Sequence, residues 1–275
     1  GVYLDISHRD RDFIRERLPR MYERFADLGV DMAQDPVEVA PTAHYGMGGV
    51  VVDAVGETDV DGLFAIGETM AGVHGANRLG GNSLAETVAF GQVTGAAIAD
   101  RLAGDITAPD ADRSLHDHAG RHFTALATLA GSTGSNRPVD LLDDLRGLLW
   151  THAGIHRDEA GLTAGLDALT ALRSRAIDLE VGDRTSRSFE FALNLQFGLT
   201  VAEAILRSAD ERTESRGAHH RPDHPEADPD RRQNVAVERG ILGTMALSTT
   251  PVEEPSEAVR EALDAGYELD YHQLE

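Results

Sequence analysis

Two short stretches gather the residues that could do chemistry. The first is Gly67-Glu68-Thr69, followed by Val73-His74-Gly75-Ala76-Asn77-Arg78-Leu79-Gly80-Gly81-Asn82-Ser83-Leu84. Glu68 comes at the end of the apolar run Leu63-Phe64-Ala65-Ile66. That is where an acid holds the ribose hydroxyls of a nucleotide cofactor. Gly80-Gly81 opens a helical stretch, and a helix N-terminus offers unbonded N–H groups and the positive end of its dipole. Such an end suits a phosphate, or the negative charge that appears on a flavin when it is reduced. A glycine turn before a helix is, on its own, more often a close-packed turn. Arg78 changes that balance, because a guanidinium in a glycine-rich loop at a helix mouth is placed to fork a carboxylate with two parallel hydrogen bonds.

The second stretch is Pro41-Thr42-Ala43-His44-Tyr45-Gly46-Met47-Gly48-Gly49, just ahead of Val50-Val51-Val52. His44 could donate a hydrogen bond to an anionic substrate, or exchange a proton near neutral pH. A lone loop histidine is more often structural or solvent-facing. Three glycines in the next five residues nevertheless suggest backbone lying close to something bulky.

The elements that must position these residues follow from periodicity. Over the first thirty residues Ile14, Leu18, Met21 and Phe25 recur at helical spacing, Pro19 suits a first turn or a kink, and Gly29 suits the stop. Residues 37–39 and 50–52 read as short strands, with 54–57 as the turn after the second; 63–66 reads as a buried strand of an α/β sheet. Asn82 or Ser83 should cap a long helix to about Leu102, stopped by Gly104. Residues 105–112 read as a linker. Helices are expected over about 113–129, 138–155, 158–181 and 186–210. Leu162, Leu166, Leu169, Leu172 and Ile177 mark an apolar face of an antiparallel bundle. Residues 214–232 must be irregular, 235–247 can form a hairpin, and 267–275 is an acidic and aromatic tail.

Composition removes several classes. The 275 residues hold 47 acidic and 25 basic side chains, a formal charge of −22. Every basic residue other than histidine is arginine; lysine is absent. Such a surface repels nucleic acid and anionic membrane, so neither is expected as a direct partner. It fits a halophilic source, where molar salt shortens the screening length to ~3 Å and relieves the self-repulsion. With no cysteine there is no disulfide, thiolate metal site or cysteine nucleophile. No apolar run approaches the ~20 residues of a membrane-spanning helix. The opening Gly1-Val2-Tyr3-Leu4 does not read as a secretory leader.

The motifs together resemble the C-terminal part of the flavoprotein subunit of succinate dehydrogenase and fumarate reductase. His44-Tyr45-Gly46-Met47-Gly48-Gly49, Gly62 to Glu68 and His74 to Leu84 carry the likeness. So do Asn194-Leu195-Gln196-Phe197-Gly198-Leu199-Thr200-Val201, Glu214 to His219, and Tyr271-His272-Gln273-Leu274-Glu275. L-aspartate oxidase is the nearest rival, and Gly80-Gly81 favours the dehydrogenase side.

The resemblance implies an α/β plus α fold: the end of a capping domain over 1–40, the last segment of an FAD-binding domain over 41–105, and a helical domain with a tail over 106–275. It implies His44 and Arg78 as ligands of the substrate carboxylates, Glu68 on the flavin ribose, and Ser83 and Leu84 at the isoalloxazine end. The cofactor would be FAD, the substrate succinate or fumarate, and the electron partner an iron–sulfur subunit leading to quinone. The setting would be cytoplasmic, with attachment to the inner face of the membrane through partner subunits. The Gly-x-Gly-x-x-Gly turn for the ADP moiety, the catalytic arginine and a second substrate histidine would lie in an N-terminal half not present here, leaving no catalytic residue in this chain. A non-catalytic helical module derived from this family is the alternative outside enzymes.

Three further groups carry less. His116, His118 and His122, and His219, His220 and His224, are favoured as surface histidines over a metal site. Arg216 and Arg221 are expected to dock the helical domain on the flavin domain. Ser83 has neither a base nor a nucleophile elbow, so hydrolase chemistry fails.

Overall fold

A computed structural model describes residues 2–104, 113–240 and 244–265. The chain divides into two compact units, Gly1–Gly46 and Met47–Glu275.

In the first unit, strand β1 (Val2–Leu4) pairs antiparallel with β2 (Val37–Val39), in the register Val2 to Val39 and Leu4 to Val37. Between them lie helices α1 (Arg11–Arg17) and α2 (Pro19–Asp27). The single helix expected over the first thirty residues is therefore a strand and two helices. The break falls at Leu18, because Pro19 lacks an N–H and occupies the first position of α2. That break turns the apolar face: Ile14 is buried and Phe25 packs beside it with Met32 and Val37, whereas Leu18 and Met21 are exposed. Gly29, at φ +80°, ends α2 as expected.

The second unit opens with irregular chain. Residues 50–52 and 63–66 do not form the expected strands. Val50 makes one parallel bridge to Met70, and Phe64 one antiparallel bridge to Glu57. A strand needs neighbours on both edges to become buried sheet. Among the described residues these segments find a single bridge each, and Leu63 and Ile66 remain exposed. Gly49 is required at the Val50 bridge, since a Cβ there would stand 2.2 Å from the Thr69 carbonyl oxygen. A short 3-10 turn, Gly67–Thr69, leads through the glycine-rich loop to α3 (Asn82–Ala103). Gly81, rather than Asn82 or Ser83, is its N-cap, and Gly104 its C-cap.

Beyond residue 112 the chain is helical: α4 (Arg113–Leu129), α5 (Pro138–His152), α6 (Glu159–Arg175) and α7 (Arg187–Glu211). Helices α5, α6 and α7 pack on one another. Their core is built from Leu141, Leu145, Leu162, Leu169, Leu195, Leu199 and Leu206, with Leu129 of α4 against it. Asp158 caps α6 by accepting from the Gly161 N–H, and Ser186 caps α7 by accepting from Phe189. Of the face expected on α6, Leu162, Leu169 and Leu172 are buried and Leu166 packs beside them. Ile177 is exposed instead, because α6 ends at Arg175. By length and composition alone α7 could cross a membrane, although Glu190, Glu203 and Arg207 interrupt its apolar run. Its Leu195, Leu199, Ala202 and Leu206 line the bundle core.

Residues 212–232 are irregular yet densely bonded around Glu214, whose side chain is fully withdrawn from solvent. Hairpin strands β3 (Gln233–Arg239) and β4 (Met245–Pro251) follow, then α8 (Glu257–Asp264). The hairpin runs longer than its apolar pattern suggested, from Gln233 opposite Pro251 to Arg239 opposite Met245. The linker 105–112 and the tail 267–275 lie outside the described residues, as does Ile241.

Candidate functional site

Four of the five expected site residues fall on one continuous piece of the second unit. Glu68 is exposed in the 3-10 turn, whose buried Gly67 takes φ +67°. Arg78 is half-buried in the glycine-rich loop, and its Nη1 donates to the Leu79 carbonyl at 3.0 Å. Ser83 is half-buried and Leu84 exposed in the first turn of α3. His44 is exposed and belongs to the other unit, Gly1–Gly46.

The mouth of α3 suits a bound group. Its cap, Gly81, sits at φ +81°, a conformation that favours glycine, and has no side chain with which to occupy the first N–H groups. A Cβ added at Gly80 or Gly81 would meet only open space. These glycines are therefore not demanded by internal packing, in contrast to Gly49. An exposed acid one loop away, an uncapped helix end and an arginine at its rim fit the ribose and ring ends of FAD. They provide no pyrophosphate turn.

The loop is held in place by residues the motif reading overlooked. His74 Nε2 lies 2.9 Å from Glu86 Oε2 on α3, both side chains being almost fully buried. On its other flank the Ala218 N–H donates to the Ala76 carbonyl at 3.0 Å. The expected docking by Arg216 and Arg221 is not what the structure shows. Arg216 makes two bonds to Glu214, at 3.0 and 2.9 Å, and Arg221 makes two to Asp223, at 2.8 and 2.7 Å. The backbone of Gly217 and Ala218 is what reaches the loop. His74 was visible only as the first letter of a motif, and Glu86 as one acid in a helix of small residues. Nothing in their twelve-residue separation announced the contact.

The acidic and basic groups of this C-terminal loop perturb one another. Burial alone would raise the Glu214 carboxyl. Hydrogen bonds from Arg216, the Asp228 N–H and Arg212 overcome it and bring the pKa down from the usual 4.5 to about 2. The Arg221 fork holds Asp223 well below the usual carboxylate range. Burial pushes His219 down from 6.5, against the opposing bond to the Arg212 carbonyl. His219 also contacts Arg157 Nη1 at 3.1 Å, and the His220 ring meets His156 edge-on at 5.0 Å. Among the described residues no group of three or more His, Asp or Glu side chains could hold a metal ion.

Comparison with known proteins defines the class first. Residues 1–84 match the FAD binding domain family, and residues 142–257 match the fumarate reductase flavoprotein C-terminal family. The chain therefore joins an FAD-binding segment to a flavoprotein C-terminal segment, and its cofactor is FAD. More particularly, it is a homologue of the fumarate reductase and succinate dehydrogenase flavoprotein subunits. It is 39% identical to a polypeptide of the fumarate reductase (CoM/CoB) of Methanothermobacter marburgensis, over 87% of this chain and 43% of that one. It is 37% identical to the L-aspartate oxidase of Pseudomonas aeruginosa, over 86% of this chain and 42% of that one. Among solved structures, Escherichia coli quinol fumarate reductase superposes with a TM-score of 0.84 at 34% identity, covering 92% of this chain and 44% of that one. Mycobacterium smegmatis Sdh1 in complex with UQ1 gives 0.81 at 33%, covering 98% and 46%. The chain thus spans less than half the length of the relatives it matches.

Proposed function

We propose that the chain forms the C-terminal part of a flavoprotein that interconverts succinate and fumarate. In this reading residues 1–40 close a capping domain, 41–105 complete an FAD-binding domain, and 106–275 form the helical domain. FAD, when bound, supplies the hydride acceptor or donor. The chain's own residues bind and orient. Glu68 accepts hydrogen bonds from the ribose hydroxyls, while Ser83, Leu84 and the open end of α3 lie against the isoalloxazine, where a positive helix end favours negative charge. Arg78 grips one carboxylate of the dicarboxylate through its planar fork; His44 is proposed separately as a hydrogen-bond donor to substrate.

The observation that carries this reading is the half-buried Arg78 at the rim of a helix mouth left open by Gly80 and Gly81. The exposed apolar side chains of α3, Leu84, Val88, Val93 and Leu102, support a further covering part, the N-terminal half of the flavoprotein. Electrons would pass from it to an iron–sulfur subunit, then to quinone, with the protein held at the cytoplasmic face of the membrane by those partners. The strong acid excess supports a halophilic source.

A second reading, an L-aspartate oxidase, is favoured by equal identity: 37% to the Pseudomonas enzyme and 37% to the Haemophilus influenzae fumarate reductase flavoprotein subunit. The two separate in one experiment. Dye reduction by the flavin-loaded protein should depend on succinate and ignore L-aspartate. Turnover of L-aspartate alone would establish the oxidase, and flavin loading without turnover of either would leave the non-catalytic module.

A further inference from the structure

The glycine-rich loop is held at two points that binding of flavin or substrate does not itself require. On one side stands the buried His74–Glu86 contact at 2.9 Å. It is an unusual place for one, because α3 buries only Glu86 and Thr94. On the other side Gly217, at φ +58°, brings its backbone so near Ala76 that an added Cβ would lie 2.3 Å from the Ala76 carbonyl oxygen. The neighbouring Ala218 N–H donates to that same oxygen at 3.0 Å. The loop is therefore pinned at residues 74 and 76, with Arg78 two residues further along and its own Nη1 on the Leu79 carbonyl. A buried ionisable pair is a poor source of stability, since desolvation offsets most of its attraction, but it is directional and fixes one geometry. Apolar packing at the same place would let the loop slide.

We propose that His74 and Glu86 are positioning residues that preset Arg78 for the substrate carboxylate, with Gly217 and Ala218 as the opposing strut. The proposal rests on the reading of Arg78 as a dicarboxylate ligand. It is tested in the complete flavin-loaded protein by two independent readouts, backbone hydrogen exchange and steady-state kinetics. In His74→Leu the amides of residues 75–81 should exchange about tenfold faster, as expected for loss of a buried hydrogen bond, while those of α5 to α7 stay unchanged. KM for succinate should rise by about tenfold to a hundredfold, the range expected when a binding group is misplaced. Flavin content should remain at the wild-type level and kcat should change much less than KM. His74→Gln keeps a donor for Glu86 and should recover most of the lost affinity.

Unchanged loop exchange and unchanged KM in His74→Leu overturn the proposal. If that variant unfolds or loses flavin, Glu86→Ala, which leaves His74 no acceptor on α3, decides: a raised KM at full flavin occupancy supports positioning, and an unaltered one refutes it. Absence of succinate turnover in the wild type would defeat the dicarboxylate reading itself. The exchange of residues 75–81 would still decide whether His74 and Glu86 hold the loop.

Discussion

Helices α3 and α7 are of similar length but are built to opposite plans. Over 25 residues α7 buries Ala192, Leu195, Leu199, Ala202, Leu206 and Ala209, and the rest of the bundle closes over them. Over 22 residues α3 buries two side chains, Glu86 and Thr94, both polar, and leaves Leu84 75% and Val88 73% exposed. The bundle gets its stability from apolar area removed from water. The site region takes its shape from directional polar contacts and glycine geometry. One region is thus a packed apolar core that still leaves Phe197 and Val201 of α7 exposed, and the other is a shaped surface.

The largest effect expected from that contrast is in the core. Leu195→Ala, at a fully buried position, should cost about 2–5 kcal/mol, whereas Val88→Ala on α3 should cost no more than ~0.5 kcal/mol. Thermal unfolding of the two variants checks this, and comparable losses would break the contrast. Arg78→Lys should do the reverse, leaving Tm and flavin content near wild type while removing about 2–5 kcal/mol of transition-state stabilisation, because an ammonium cannot reproduce the fork. Succinate-dependent dye reduction at matched flavin occupancy measures it, and wild-type turnover would return Arg78 to a structural loop residue. In Glu68→Ala, flavin should be lost first and activity as a consequence.

Acid should sharpen the contrast further. Glu214 has a folded pKa of about 2 against the usual 4.5, and Asp223 is also depressed. Both contribute stability that is fully present above their unfolded values and lost as pH falls below them, from about 4.5 toward 2 for Glu214 and from 3.8 downward for Asp223. His219, held neutral by burial, adds a smaller loss that begins below 6.5. Calorimetry from pH 7 to 3 should show this decline in the wild type and a shallower one in Glu214→Gln. That variant should start from a lower Tm at pH 7, by an amount between those of Leu195→Ala and Val88→Ala. Salt should act most weakly and most broadly. With a net charge of −22, Tm should climb steadily from dilute buffer to molar KCl as self-repulsion is screened. A flat profile would remove the halophilic reading.

How much of this could be read from the chain follows the same division. The bundle was legible because each helix carries its own information: a periodic apolar face, Asp158 or Ser186 at the cap, and a stop. Glu68, Arg78, Ser83 and Leu84 stand out as candidates because loop, acid and helix mouth are contiguous; their roles rest on the proposed function. What failed was relational. Residues 50–52 and 63–66 have strand composition, yet a strand exists only by pairing, and each segment finds a single bridge among the described residues. Pro19 suits a first turn or a kink, and its missing N–H makes it both. Arg216 and Arg221 invited a docking role, but nearby carboxylates, Glu214 and Asp223, claim their guanidinium groups first. The His74–Glu86 contact depends on how twelve intervening residues fold back.

The arginine clamps have a practical chemical consequence. Glu203 is held by Arg173 and Arg207, Glu214 by Arg212 and Arg216, and Asp223 by Arg221, and no lysine occurs anywhere in the 275 residues. Amine-directed reagents therefore find no side chain to modify. Cyanate formed in ageing urea and acylating agents would leave every one of these ion pairs chemically intact. Long denaturation and refolding series can be run on this protein without the slow carbamylation that erodes lysine-rich folds, and crosslinking for mass spectrometry has to be aimed at its carboxylates instead.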